Sequence, residues 1–528
     1  MQQFSRLANG LSSPAILIVV VWCALLICVA TGPIDYPGQP SSAVLMLVGV
    51  GVSLFILGYG GGAWCFGNWF KSQARVPAPS LRNLNSVVIA TSLFGVGGIA
   101  LMALDRLVLS GVSNSGYAEL LRCAPGLVDF IEIRRTPLLY VGYLTFSFGF
   151  ASLALFLLKG EEIRRWAAIA AQISIVSPVG YALLYSGRMP ILFILVLIVS
   201  VVLVRITQGR SLLPRGHHLL LKTAIVILLF AIYSSAIWSR RSNFCVQMSG
   251  VIQELEQRKI KRNEKRADVG HEPELKTQDA ARDEPRPPAS MPATEVSKMI
   301  AEASKMASET AAPPTAPQAA SADALLHMMQ QSWNVKPRSY VLSAMNSGYL
   351  PPNSAMIVLS TYFYLTHGVR AVDMTWHARE QFSPNWGVYE IGILSPILRV
   401  FHPQDQRLAD MEAQLTSAEI HGFFPTVWAA AYIDFGIAGA VIYILTWGFM
   451  AGWSAAGARR SSLATPPLLL VFILASILLS PVQGPLGVAN SALVLFSMII
   501  TGAAIDLMRL RGQSRPTSRE LQLGRSVS

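Results

Sequence analysis

Arg188 stands in Tyr185-Ser186-Gly187-Arg188-Met189-Pro190, a short turn between two apolar runs. A guanidinium at the rim of hydrocarbon is costly unless it snorkels to water, pairs, or faces an aqueous cavity, so this arginine is either an anchor or a group aimed at an anionic headgroup. Arg240 and Arg241 follow Trp238 at the end of another apolar run. Adjacent guanidiniums at a membrane face can grip phosphate through paired hydrogen bonds, which lysine does less well. Asp434 lies inside a third run, within Tyr432-Ile433-Asp434-Phe435-Gly436. An intramembrane carboxylate is a functional residue by default, with an arginine at similar depth as its expected partner; the alternative is an Asp that stabilises packing or a kink beside Gly436 and Gly439.

Further ionisable side chains cluster between the apolar runs: His367, Arg370, Asp373, His377, Arg379, Glu390, Arg399, Glu419 and His421. Arg370 and Arg379 beside Asp373 and His377 form the densest group. No metal-ligand spacing is present, and Cys23, Cys28 and Cys65 fall in apolar runs. Cys123 and Cys245 fall outside them, where a disulfide is chemically allowed. The Gly58-Gly60-Gly61-Gly62 and Gly95-Gly97-Gly98 clusters also sit in apolar runs, where small residues let helices approach closely; they read as packing, not as nucleotide loops.

These residues need a membrane scaffold to position them. Of 528 residues, 52% are hydrophobic and only 14% charged, too few charges to cover a soluble surface. Apolar runs long enough to cross about 30 Å of hydrocarbon recur along the chain. Spans are expected near 14–30, 43–67, 86–104, 138–158, 167–185, 190–204, 219–238, 428–450, 467–480 and 488–508. The first could serve as a cleaved signal, but Pro33 spoils the cleavage site and an uncleaved span is expected. The expected fold is therefore an all-α polytopic membrane protein of about ten transmembrane helices with one large extracytoplasmic loop.

Lys71, Arg75 and Arg82, then Lys159, Arg164 and Arg165, then Arg205, Arg210 and Arg215, then Arg459 and Arg460, and finally the 509–528 tail share one side if the spans alternate. The positive-inside rule makes that side cytoplasmic, with both termini there. The net charge of +12 thus reflects topology, and a nucleic-acid partner is rejected. The chain divides into an N-terminal bundle at 1–238, a largely disordered loop segment at 239–322, an ordered loop module at 323–427, a C-terminal bundle at 428–508 and a basic tail at 509–528. The tract 254–322 is rich in Glu, Lys, Arg, Pro, Ala and Ser and cannot build a core. The module 323–427 carries Trp333, Tyr340, Tyr349, Tyr362, Tyr364, Trp376, Trp386 and Tyr389, an aromatic density expected of structure lying on a membrane surface. Within it, Ala355 to Leu365 reads as a short interfacial or re-entrant helix.

The stretch Pro425-Thr426-Val427-Trp428-Ala429-Ala430-Ala431-Tyr432-Ile433-Asp434-Phe435-Gly436-Ile437-Ala438-Gly439, running on to Gly448, resembles the span after the large loop of bacterial oligosaccharide repeat-unit polymerases, the Wzy type. Ser186-Gly187-Arg188 before a new span, and Tyr362 to Asp373, look like that family too. The tract 254–322 is not part of its pattern. The resemblance implies an inner-membrane glycosyltransferase-type enzyme of surface or exopolysaccharide biosynthesis. Its substrate would be a polyprenyl-pyrophosphate-linked oligosaccharide, its partners chain-length regulator and flippase proteins, and it would need no cofactor or metal. On that reading Arg188, Arg240, Arg241, Arg370 and Arg379 hold pyrophosphate, Asp434 orients one arginine, and His377 or His421 activates the acceptor hydroxyl. A lipid-linked glycan ligase is the alternative of similar appearance, and a precursor transporter or flippase is the alternative without chemistry.

Overall fold

The computed structural model describes residues 12–69, 81–109, 131–132, 136–185, 187–214, parts of 221–233, 291–292, 329–330, 334–392, 394, 398, 407–418, 420, 425–487 and 490–513. Its helices are α1 (Pro14–Thr31), α2 (Ser42–Trp69), α3 (Leu81–Leu104), α4 (Pro137–Phe146), α5 (Phe148–Lys159), α6 (Arg165–Ile173), α7 (Val176–Leu184) and α8 (Met189–Thr207). They continue with α9 (Ser339–Asn346), α10 (Pro352–His377), α11 (Arg407–Ser417), α12 (Val427–Arg460), α13 (Thr465–Leu479) and α14 (Ser491–Gln513).

Among the described residues, 8 helical segments are long and apolar enough to cross a membrane: α1, α2, α3 with its continuation to Leu109, Pro137–Glu162, Arg165–Leu184, α8, α12 and α14. The chain is a multi-pass, all-α membrane protein. The ninth expected span, near 467–480, is the shorter apolar helix α13. Its 15 residues fall short of the roughly 20 needed to cross lipid alone. Nearly all of them are buried among α1, α8, α12 and α14, so α13 packs as the apolar centre of the bundle. The expected span 219–238 and the tract 254–322 lie largely or wholly outside the described residues.

Close approach of α2 and α12 explains one glycine cluster. A Cβ on Gly58 or Gly62 would meet the backbone of Leu445 or Phe449, and one on Gly448 or Gly452 would meet that of Phe55 or Tyr59. Gly95 and Gly98 make the same kind of contact with the Phe146–Gly149 backbone. Gly60 and Gly97 have open space instead, so the packing role belongs to alternate glycines, those one turn apart.

The helix ends sort into two sets. At one end the buried Arg205 donates to the carbonyls of Leu157 (3.1 Å), Leu158 (2.9 Å) and Ser211 (2.7 Å) and pairs with Glu161. Beside it Arg210 pairs with Glu162 at 2.8 Å. Asp506 accepts from the N–H groups of Ala464 and Thr465, and Gln208 reaches the Ala458 carbonyl. The described basic loops therefore share an end, as their sequence distribution requires.

At the opposite end, strand β1 (Ile34–Asp35) pairs antiparallel with β2 (Lys336–Pro337), joining the connection between α1 and α2 to the segment that precedes α9. The helix expected over Ala355 to Leu365 is in fact the 26-residue α10. Apolar content ends near Leu365, but the helix runs on because its polar side chains find partners at the helical spacing. Thr366 meets the Tyr36 hydroxyl at 2.6 Å, and Asp373 accepts from Gln39 and Ser41.

Candidate active site at the loop end of the bundle

Arg188 is carried by the turn after α7. That turn is held by an aromatic cluster in which the Tyr143 hydroxyl donates to Tyr185 at 2.6 Å and Asn490 donates to Tyr181 at 3.0 Å. The guanidinium of Arg106, in the continuation that follows α3, lies 5.7 Å from the Tyr185 ring. So fixed, the Arg188 guanidinium stands 5.9 Å from the centre of the Tyr364 ring on α10, within cation–π range. Tyr364 in turn lies 5.9 Å from the ring of the buried His367. The arginine between two spans and the helix of the large loop thus meet.

The group at 367–379 does not form one cluster. Residues nine apart on a helix point in opposite directions, and Asp373 is nine beyond Tyr364. Asp373 accordingly faces the first loop, through Gln39 Nε2 at 2.7 Å and Ser41. Arg370 donates to the Asn334 carbonyl at 3.0 Å. His377, 70% exposed in its side chain, places Nδ1 2.8 Å from the Asp373 carbonyl oxygen. A carbonyl only accepts, so Nδ1 is the donor in this contact, and it also lies 3.7 Å from the Asp373 carboxylate; in the neutral ring this leaves Nε2 as the acceptor, the tautomer a general base needs. Arg379 follows, its guanidinium 5.1 Å from the Trp376 ring centre and its carbonyl accepting from the Tyr432 hydroxyl at 3.0 Å.

Asp434 meets backbone donors. Its fully buried carboxylate accepts the backbone N–H of Tyr389 at 3.0 Å and of Glu390 at 2.6 Å, so its hydrogen-bond partners among the described residues are backbone groups of one turn. The backbone joins in. Gly436 adopts φ 62° and breaks α12, a left-handed conformation open to glycine. The Asp434 carbonyl, freed from the helix ladder, accepts from Asn385 and Trp386, both at 2.8 Å. The Asp-Phe-Gly sequence therefore builds a socket for residues 385–390.

Glu390 is the residue that sequence reading passed over as one charge among many. It is fully buried, and its Oε1 accepts from the Tyr443 hydroxyl at 2.7 Å and the Leu486 N–H at 2.9 Å. Burial pushes its carboxyl up to about 7, hydrogen bonds from Leu486 and Tyr443 hold it back, and the nearby Asp434 raises it further. No sequence signal marks this glutamate, because its partners come from two distant segments, α12 and the turn before α14.

Below this polar layer lies an apolar cleft of about 210 Å3 between α2, α10 and α12, with Trp376, Trp428 and Tyr432 among its walls. Arg240, Arg241, Arg399, Glu419 and His421 lie outside the described residues, as do Cys123 and Cys245. No protein-family model, curated protein or solved structure matches this chain.

Proposed function

We propose that the chain polymerises polyprenyl-pyrophosphate-linked oligosaccharide repeat units at the outer face of a bacterial cytoplasmic membrane, with the basic end of the bundle and both termini in the cytoplasm. The observation that carries this reading is the meeting of Arg188 with Tyr364, which brings a membrane-rim guanidinium to the large loop beside an imidazole-bearing helix. The terminal hydroxyl of one glycan attacks the anomeric carbon of another. The anomeric carbon–oxygen bond to phosphate breaks, lipid pyrophosphate leaves, and the hydroxyl proton passes to a base. Arg188 is the group that stabilises the charge growing on the leaving group, with Arg379, Arg370, Arg240 and Arg241 as further candidates. His377, in the tautomer described, is the candidate base, with His421 as the other. Asp434 and Glu390 position the loop. A transporter of the same lipid would need the loop end to rearrange between states; the socket at Asp434 favours a stationary site. Loss of the chain from its native cell should leave single-repeat lipid-linked product and no ladder on a polysaccharide gel. An unchanged ladder would end the proposal.

A further inference from the structure

The cleft between α2, α10 and α12 takes part in none of the steps above. Its walls are Met46, Val50 and Leu54 on one side and Trp428, Ile437 and Val441 on the other, without a charged side chain. Gly51 is what leaves the Trp428 ring at its floor, since a Cβ there would meet that ring at 2.6 Å. The residues belong to the parts of α2 and α12 nearest the loop end, so the cleft opens to lipid in one leaflet only. Its loop-end rim is charged. Trp376, a wall residue, lies beneath the Arg379 guanidinium, and Tyr432, another wall residue, bonds the Arg379 carbonyl. The Arg379 side chain is 42% exposed, and its ion-pair partner among the described residues, Glu380 at 3.9 Å, is 89% exposed and screened by water.

An aromatic-floored groove with one cationic end is complementary to a long apolar chain with one anionic end. We infer that this cleft seats the isoprenoid chain of a polyprenyl pyrophosphate next to its headgroup, with Arg379 on the pyrophosphate. The inference rests on the polymerase reading for the identity of the lipid and adds the place where the chain lies.

The test uses the full chain in nanodiscs with a diazirine-bearing polyprenyl pyrophosphate, crosslinked by light and mapped by mass spectrometry. Adducts should fall within 46–54 and 437–444, and unlabelled polyprenyl pyrophosphate should compete where phosphatidylglycerol does not. Val50 is 52% exposed, so Val50→Trp fills the cleft without entering the core and should cut labelling about tenfold. Ile442→Trp, at a residue 65% exposed and outside the cleft, should leave labelling unchanged. Arg379→Ala should weaken capture of the pyrophosphate but not of the corresponding polyprenol. Equal competition by phosphatidylglycerol, or labelling indifferent to Val50→Trp, would overturn the assignment. No oligosaccharide is present, so the two readings separate. Cleft labelling by a chain that makes no polymer supports the cleft and removes the polymerase; polymer made at full rate by Val50→Trp, with adducts elsewhere, does the reverse.

Discussion

The Asp434 carboxylate accepts the backbone N–H of Glu390 at 2.6 Å across 44 residues of sequence, tying the break in a membrane helix to the large loop. Because Glu390 also bonds Tyr443 and Leu486, this pair joins the loop, α12 and the turn before α14.

Asp434→Ala should be strongly destabilising. It strips acceptors from two buried N–H groups, each costing about 1–3 kcal/mol when left unsatisfied. Asp434→Asn keeps one carbonyl acceptor and should lose roughly half as much. Thermal unfolding of the detergent-purified variants measures both; an alanine variant as stable as wild type would show that the socket contributes nothing.

Glu390 gives the protein a pH dependence of known sign. Its folded carboxyl titrates near 7 against an ordinary value of 4.5, so the folded state holds the proton more tightly. Stability present at low pH is therefore lost as pH rises from about 4.5 to about 7, and no more is lost from this group above that. Glu390→Gln keeps an acceptor for Tyr443 and Leu486 without the charge. It should unfold at a higher temperature than wild type at pH 8 and at nearly the same temperature at pH 4.5. A gap independent of pH would contradict this.

At the helix interface, Gly452→Leu should split α2 from α12, since the backbone of Tyr59 occupies the place of a side chain there. Gly60→Ala meets nothing and should gain up to about 1 kcal/mol from helix propensity. Yield and monodispersity on gel filtration distinguish them.

Much of the membrane scaffold was legible because lipid imposes a coarse code: the described spans fall where apolar length predicts them, and Lys159, Arg164, Arg205 and Arg210 gather at one end as their spacing requires. The length of α10 was not legible, because hydropathy sees Arg370 and Asp373 as the end of an apolar run and cannot see that Asn334, Gln39 and Ser41 wait for them. Asp434 was conspicuous, but the donors it meets among the described residues, the N–H groups of Tyr389 and Glu390, were not. A buried carboxylate needs donors, and backbone N–H groups of a distant turn leave no trace in a charge pattern. Glu390 was hidden for the same reason.

Orientation can be checked in a chain freed of its five native cysteines. Tyr349→Cys, at a residue 89% exposed, should react with a membrane-impermeant maleimide in intact cells, whereas Arg75→Cys should react only after permeabilisation. The opposite pattern would invert the topology.

The central claim is tested most directly with purified chain and a lipid-linked repeat unit, following the length of the glycan on the lipid with time. Wild type should build a ladder and release polyprenyl pyrophosphate at one molecule per added repeat. Arg188→Lys keeps the charge but loses the planar fork, and should slow the ladder on the order of a hundredfold while the single repeat persists. A full ladder from Arg188→Ala, at normal protein level, would make Arg188 an anchor; no ladder from wild type would contradict the polymerase itself.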